Sequence, residues 1–84
     1  MVKSEIWAVS RERISDFFLS QDDVYQNGDD CFLYKECEIR LSVRSERMLG
    51  KLAFPATKVD FRGPGPDTEE IYRRFFLRFI SAGA

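Results

Sequence analysis

The chain contains no histidine. Histidine is the most common general base and the most common metal ligand, and its unperturbed pKa is the one closest to neutral pH. Its absence excludes most acid–base and zinc chemistry, as well as any histidine-based pH switch. We therefore expect a protein that is not an enzyme and that has no metal site and no cofactor.

Cysteine is nearly absent as well, with only Cys31 and Cys37 in the chain. We place both on one extended segment, which at ~3.3 Å per residue sets their Cα atoms ~20 Å apart, whereas a disulfide requires less than about 7 Å. Two reduced thiols are typical of a cytoplasmic protein. The sequence also has no signal-peptide pattern and no run of ~18 apolar residues, so we expect a cytoplasmic protein with no membrane contact.

Net charge is also small, at −1 for the whole chain. The charge is unevenly placed, with −5 over residues 1–38 and +4 over the remainder. The bulk charge therefore favours neither nucleic acid nor membrane as a partner. The length of 84 residues and the hydrophobic content of 44% predict one folded domain over residues 1–84.

Residues 67–80 carry the clearest structural pattern. After Pro64 and Pro66, Asp67 and Glu70 have the spacing of a capping box and predict a helix with Asp67 as its N-cap. Six apolar side chains then recur at steps of three and four and predict one buried helix face: Ile71, Tyr72, Phe75, Phe76, Phe79 and Ile80.

The amino-terminal third predicts a strand followed by a helix. Glu5–Val9 is interpreted as the strand, and Ser10 as the N-cap of a helix from Arg11 to about Ser20. The alternative is one continuous helix from Ser4, because apolar side chains of both segments also fall near one helical face.

A hairpin is predicted at Asn27 and Gly28, which are typical of a type I′ turn, with Val24–Gln26 as its first arm and Asp30 onward as its second. From Cys31 to Arg44 the apolar side chains occupy odd positions. This alternation predicts one long half-buried strand, or two strands with a bulge near Lys35.

Two further strands are predicted at Lys51–Phe54 and Thr57–Arg62, separated by Pro55. The expected fold is α+β, roughly β-α-β-β-β-α, with an antiparallel sheet of three to four strands and the two helices packed on one face.

Leu77 falls on the charged side of the last helix, among arginines. Arginine around an exposed apolar centre is typical of protein interfaces. The candidate partner-binding residues are Arg73, Arg74, Leu77 and Arg78. We therefore expect a small non-catalytic protein-interaction or regulatory domain, whose partner is another protein or a second copy of the chain.

The alternative is a single-stranded nucleic-acid-binding module. The sheet face opposite the helices is expected to carry aromatic and basic side chains, which could stack on bases and contact phosphates. The residues of this alternative face are Phe32, Tyr34, Arg40, Arg44, Lys58 and Arg62.

Overall fold

A computed structural model describes residues 1–43, 47–49, 52–54 and 56–82, which form a five-stranded antiparallel sheet, a separate pair of strands and two helices. The elements in chain order are β1 (Val2–Trp7), α1 (Arg11–Leu19), β2 (Val24–Gln26), β3 (Cys31–Tyr34), β4 (Cys37–Val43), β5 (Arg47–Leu49), β6 (Leu52–Phe54), β7 (Thr57–Arg62) and α2 (Gly65–Ala82). The main sheet has five strands in the order β1-β7-β4-β3-β2, and β5 and β6 pair separately as a two-stranded hairpin. The predicted α+β class is confirmed, with more strands than expected.

Both helices cover the same face of the main sheet. Ile14 and Phe18 of α1 and Phe75 of α2 are fully buried in one cluster with side chains of the strands. The rings of Phe18 and Phe75 are stacked, with their centroids 5.8 Å apart and their planes 10° from parallel. The helices therefore contact each other as well as the sheet, and the predicted two-layer arrangement is confirmed.

The first helix begins where the sequence predicts. Ser10 is the N-cap, and its hydroxyl accepts a hydrogen bond from the backbone N–H of Arg13. The segment before it is the strand β1, paired along its whole length with β7, so the alternative of a continuous helix from Ser4 is wrong. The strand lies slightly earlier than predicted, at Val2–Trp7 instead of Glu5–Val9.

For the segment from Cys31 to Arg44, the prediction of one long strand is wrong, and the alternative of two strands is confirmed, although they are joined by a turn and not by a bulge near Lys35. The chain reverses at Lys35 and Glu36, so that β3 and β4 form a tight hairpin in which Tyr34 pairs with Cys37. Lys35 adopts a positive φ of 53° to make this turn. Because a two-residue turn puts Tyr34 and Cys37 on the same face, the buried positions change from even in β3 to odd in β4.

The hairpin also separates the two cysteines. Cys31 is half-buried, and its side chain lies on the sheet face opposite the helices, whereas Cys37 is buried beneath them. The two cysteines are free thiols, as predicted, although they lie on neighbouring strands and not on one.

The earlier hairpin has the predicted arms, β2 and β3, but a longer loop. Positive φ occurs at Gly28 (111°) and Asp30 (57°), and not at Asn27. The loop is therefore not the predicted two-residue type I′ turn at Asn27 and Gly28.

Strand β7 has the predicted bounds, and its odd-numbered side chains Thr57, Val59 and Phe61 are buried, as expected. The strand predicted at Lys51–Phe54 is observed as β6, Leu52–Phe54. Lys51 and Pro55 themselves lie outside the described residues.

The last helix begins two residues before the predicted N-cap, so the capping box at Asp67 and Glu70 is wrong. Thr68 donates its backbone N–H to the carbonyl of Pro64 (2.9 Å), which places Asp67 inside the first turn. Proline is accepted in a first turn because its missing N–H would have no intrahelical acceptor there. The proline-containing segment therefore forms the first turn of α2 instead of preceding the helix.

Candidate protein-interaction surface

The outer side of α2 carries a row of exposed apolar side chains. Phe76, Leu77 and Ile80 are 37%, 58% and 51% exposed, and we call these three residues the α2 stripe. Ile80 is a neighbour of both Phe76 and Leu77 on the helix surface, because it is four and three residues from them. Phe76 and Ile80 were predicted to be buried, and that prediction is wrong.

The reason is the narrow contact between α2 and the sheet. Ile71, Phe75 and Phe79 are buried, and they recur every four residues along a single line of the helix. Tyr72 is half-buried at the margin of that line. Phe76 and Ile80 are rotated away from the sheet by about 100° from Phe75 and Phe79, so they reach the solvent.

The predicted partner-binding residues lie around this stripe. Arg73 is exposed and is three and four residues from Phe76 and Leu77, so it borders the stripe. Arg78 is also exposed, and its guanidinium lies 5.7 Å from the ring centroid of Phe79.

Arg74 faces the body of the protein. Its guanidinium donates to both carboxylate oxygens of Asp23 (2.9 and 3.1 Å) and to Glu70 (3.2 Å). It also lies 5.2 Å from the ring centroid of Tyr34. The hydrogen bond from Arg74 lowers the pKa of Asp23 below its ordinary value. Arg74 thus ties α2 to the segment before β2, and we infer that its first role is structural.

The α2 stripe lies next to the end of β1, an edge strand of the sheet. The rings of Phe76 and Trp7 meet edge-on, with centroids 5.9 Å apart. One turn earlier, Tyr72 donates its hydroxyl to Glu5 (2.8 Å), and Lys3 places its ammonium 4.5 Å from the centroid of the Tyr72 ring. Burial and then the bond to Glu5 raise the pKa of Tyr72 to about 12. Helix and edge strand therefore form one continuous surface.

The alternative nucleic-acid face differs from the prediction in its aromatic residues. Phe32 and Tyr34 have no exposed area and lie in the core under the helices, so placing them on the open face is wrong. The turn at Lys35 is the cause, because it inverts the alternation. Arg40, Lys58 and Arg62 do lie on the open face, and Arg44 lies outside the described residues.

The basic residues of the open face are interleaved with acidic ones. Arg40 is paired with Glu38, and Lys58 lies 3.9 Å from Asp60. A shallow depression of about 360 Å³ over this face is lined by both signs of charge: Glu38, Arg40, Ser42, Lys58, Asp60 and Arg62. Neighbouring carboxylates therefore neutralise most of the positive charge on this face. The aromatic residues that would stack on bases, Phe32 and Tyr34, lie in the core.

The thiol of Cys37 lies in an environment that disfavours reactivity. Burial raises the pKa of Cys37, which disfavours the reactive thiolate, and its sulfur accepts a contact from the Thr68 hydroxyl at 3.5 Å. Within the described residues, no group of three or more acidic or cysteine side chains is placed to hold a metal ion. In the same part of the chain, no helix is long and apolar enough to cross a bilayer.

The sequence matches no model of a known protein family, and a search of characterised proteins gives no match either. The case for function therefore rests on the surface just described. The sequence analysis selected Arg73, Leu77 and Arg78 as candidates, and they lie on the exposed side of α2, but it missed that Phe76 and Ile80 lie beside them. The available signal was the spacing of residues 73, 76, 77 and 80, which is itself that of a helical face.

Proposed function

We propose that this protein is a small non-catalytic interaction domain, acting as a binding or regulatory module in the cytoplasm. The observation that carries the proposal is the α2 stripe, a contiguous apolar row on an otherwise charged helix surface. Contiguous exposed apolar patches that have a polar rim mark protein-interaction sites more often than scattered apolar residues do.

The surroundings of the stripe have the composition of an interface. Arg73 and Arg78 flank it, and arginine and phenylalanine are enriched in interface cores. An arginine side chain can cover apolar surface with its stem while its guanidinium pairs with a carboxylate of the partner. Arg74 supports this surface from behind through Asp23 and Glu70.

A non-catalytic role is favoured by the chemistry of the chain. It has no histidine, and the thiol of Cys37 is buried with a raised pKa. The open sheet face could have offered a nucleic-acid site, but its aromatic residues belong to the core and its cations have carboxylate neighbours. Protein is thus the partner class that the surface fits best.

The test is capture of a partner that depends on the stripe. The immobilised full chain is compared with Ile80→Asp and with the matched control Leu19→Asp, which charges an equally exposed apolar residue on α1 (50% exposed). We expect mass spectrometry to identify a protein retained by the wild type and the control but lost with Ile80→Asp. If every retained protein binds all three forms equally, the proposal is wrong.

A further inference from the structure

Strand β1 forms one edge of the main sheet and presents free backbone groups along it. Met1 and Gly63 exchange two backbone hydrogen bonds (2.7 and 3.0 Å), which fixes the pattern of the antiparallel ladder between β1 and β7. Because bonded positions alternate along such a ladder, the N–H and C=O groups of Val2, Ser4 and Ile6 point away from β7. The edge is therefore ready to accept another strand.

The sequence of this edge is complementary to itself. Val2, Lys3, Ser4, Glu5 and Ile6 have an apolar, positive, small, negative and apolar character in that order. When two copies run antiparallel about a two-fold axis at Ser4, each Lys3 opposes Glu5 of the second copy. Each Val2 likewise opposes Ile6 of the second copy, and opposite charges and apolar side chains placed in this way stabilise a ladder.

Other registers lack this match. Outward-pointing backbone groups must meet outward-pointing groups, so the nearest alternative registers move the two-fold axis to Lys3 or Glu5, and larger shifts pair fewer residues of β1. An axis at either residue places two like charges directly opposite each other, which is destabilising. The register centred on Ser4 is therefore the favoured one.

The side chains of this edge are already held in position, and they have exposed apolar surface and charges that a second copy could contact. Val2 and Ile6 are 63% and 52% exposed on the open face of the sheet. On the other face, α2 holds both charged residues through Tyr72, which contacts the ammonium of Lys3 and the carboxylate of Glu5. Within the part of the chain that the structure describes, neither Lys3 nor Glu5 forms an ion pair.

The opposite edge of the sheet is unsuited to self-pairing. Strand β2 is only three residues long, and the segments on either side of it carry Asp22, Asp23, Asp29 and Asp30. Antiparallel pairing of two β2 strands would bring these like charges together. Short length and like charges are common ways in which an edge strand avoids pairing. Strand β1 is six residues long, and its two charged residues, Lys3 and Glu5, have opposite signs.

We propose that two copies of the chain associate through antiparallel pairing of β1 about Ser4, forming one continuous ten-stranded sheet. A two-fold axis perpendicular to the sheet keeps the helices of both copies on the same face. The two α2 helices then lie side by side and antiparallel, with Tyr72 nearest the axis because it contacts Lys3 and Glu5. Phe76 packs on Trp7, three residues from the axis, so the two α2 stripes lie at opposite ends of the paired strands, about 20 Å apart. The inference goes beyond the proposed function, because it names a second copy of the chain as a partner at the β1 edge and leaves the α2 stripe open to another protein.

The decisive experiment uses charge complementation in the full chain, with mass measured by sedimentation over a wide range of concentration. Lys3→Glu and Glu5→Lys each turn both interfacial charge pairs into like pairs, and we expect each to weaken the dimer about tenfold or more. An equimolar mixture of the two variants restores opposite charges and should form a mixed dimer. The double variant K3E/E5K should also regain self-association.

A backbone variant tests the pairing independently of charge. Ser4→Pro removes an outward N–H while leaving the bonds to β7, a position at which an edge strand accepts proline. Ser4→Ala is the matched control, because it loses only the hydroxyl that donates to Asp60. We expect Ser4→Pro to be monomeric and Ser4→Ala to be dimeric, with circular dichroism confirming that both are folded.

Two outcomes would overturn the inference. A wild-type chain that is monomeric at every concentration excludes the dimer, and a dimer indifferent to both single charge changes excludes this register. The proposed function is judged separately, because capture of a different protein through Ile80 would uphold it even when the chain is monomeric.

Discussion

Replacement of Phe75 by alanine is the sharpest test of the fold. Phe75 is fully buried, and its ring lies between 5.1 and 6.4 Å, centroid to centroid, from five others: Trp7, Phe17, Phe18, Phe61 and Phe79. It therefore joins both helices to the sheet. Truncation of a buried phenylalanine to alanine costs about 3–5 kcal/mol through lost burial and the cavity that remains.

That loss is large for a domain of this size. At about 0.05–0.15 kcal/mol per residue, the whole chain is expected to unfold with about 4–12 kcal/mol. Urea unfolding followed by the fluorescence of Trp7, the single tryptophan, measures the difference. With a slope of about 1.5 kcal/mol per molar urea, the midpoint should fall by about 2–3 M.

Phe76→Ala is the matched control, since Phe76 is the next residue and is 37% exposed. It should cost markedly less than Phe75→Ala, and Phe75→Leu should give an intermediate value if the alanine variant is unfolded in water. A larger loss for Phe76→Ala than for Phe75→Ala would show that the assignment of the buried helix face is wrong.

Three further predictions concern polar contacts and close packing. Asp23→Asn should lower the free energy of unfolding at neutral pH, because the Asp23 carboxylate pairs with Arg74 and has a lowered pKa. This contribution is present above the ordinary aspartate pKa and is lost as the pH falls through the pKa of the folded state, so the difference in stability between wild type and variant should disappear in acid. A difference that does not depend on pH would contradict this. Tyr34→Phe should change the free energy of unfolding by less than about 1 kcal/mol, because the buried hydroxyl lies beside Glu70 but makes no hydrogen bond of good geometry among the described residues. A larger loss in thermal unfolding would contradict this. Gly63→Ala should destabilise the fold by about 1–3 kcal/mol, because an added Cβ would lie 2.7 Å from the Cα of Cys37, and an unchanged melting temperature would refute that close approach.

The helices were largely predictable because their signals are local. The hydroxyl of Ser10 caps α1 as expected, and the apolar spacing after Asp67 identified α2. The start of α2 was missed because a proline-rich segment supports a first helical turn as readily as it ends a strand. The exposure of Phe76 was missed because spacing alone does not say how wide the contact with the sheet is.

The largest error of the sequence analysis was to miss the chain reversal at Lys35. Alternating apolar residues predict which side chains share one face of a strand. A two-residue turn does not interrupt the alternation in the sequence, but after it the buried positions change from even to odd. Phe32 and Tyr34 were consequently placed on the open face of the sheet. No glycine or asparagine marks the turn, since a lysine with positive φ occupies it, so the usual hairpin residues were absent. The edge position of β1 was also beyond reach, because strand order depends on distant pairings.

The pairing of β1 with β7 joins segments that are about sixty residues apart in sequence, since Val2 lies opposite Arg62. On the ribosome, β1 is made long before β7, the strand beside it in the described part of the folded chain. Contacts between such distant segments are slow to form because of the entropy of closing a long loop. During that interval neither edge of Val2–Trp7 is covered by β7, and nascent chains on one messenger are close together. The self-complementary sequence on which the proposed dimer depends would then favour premature association during synthesis.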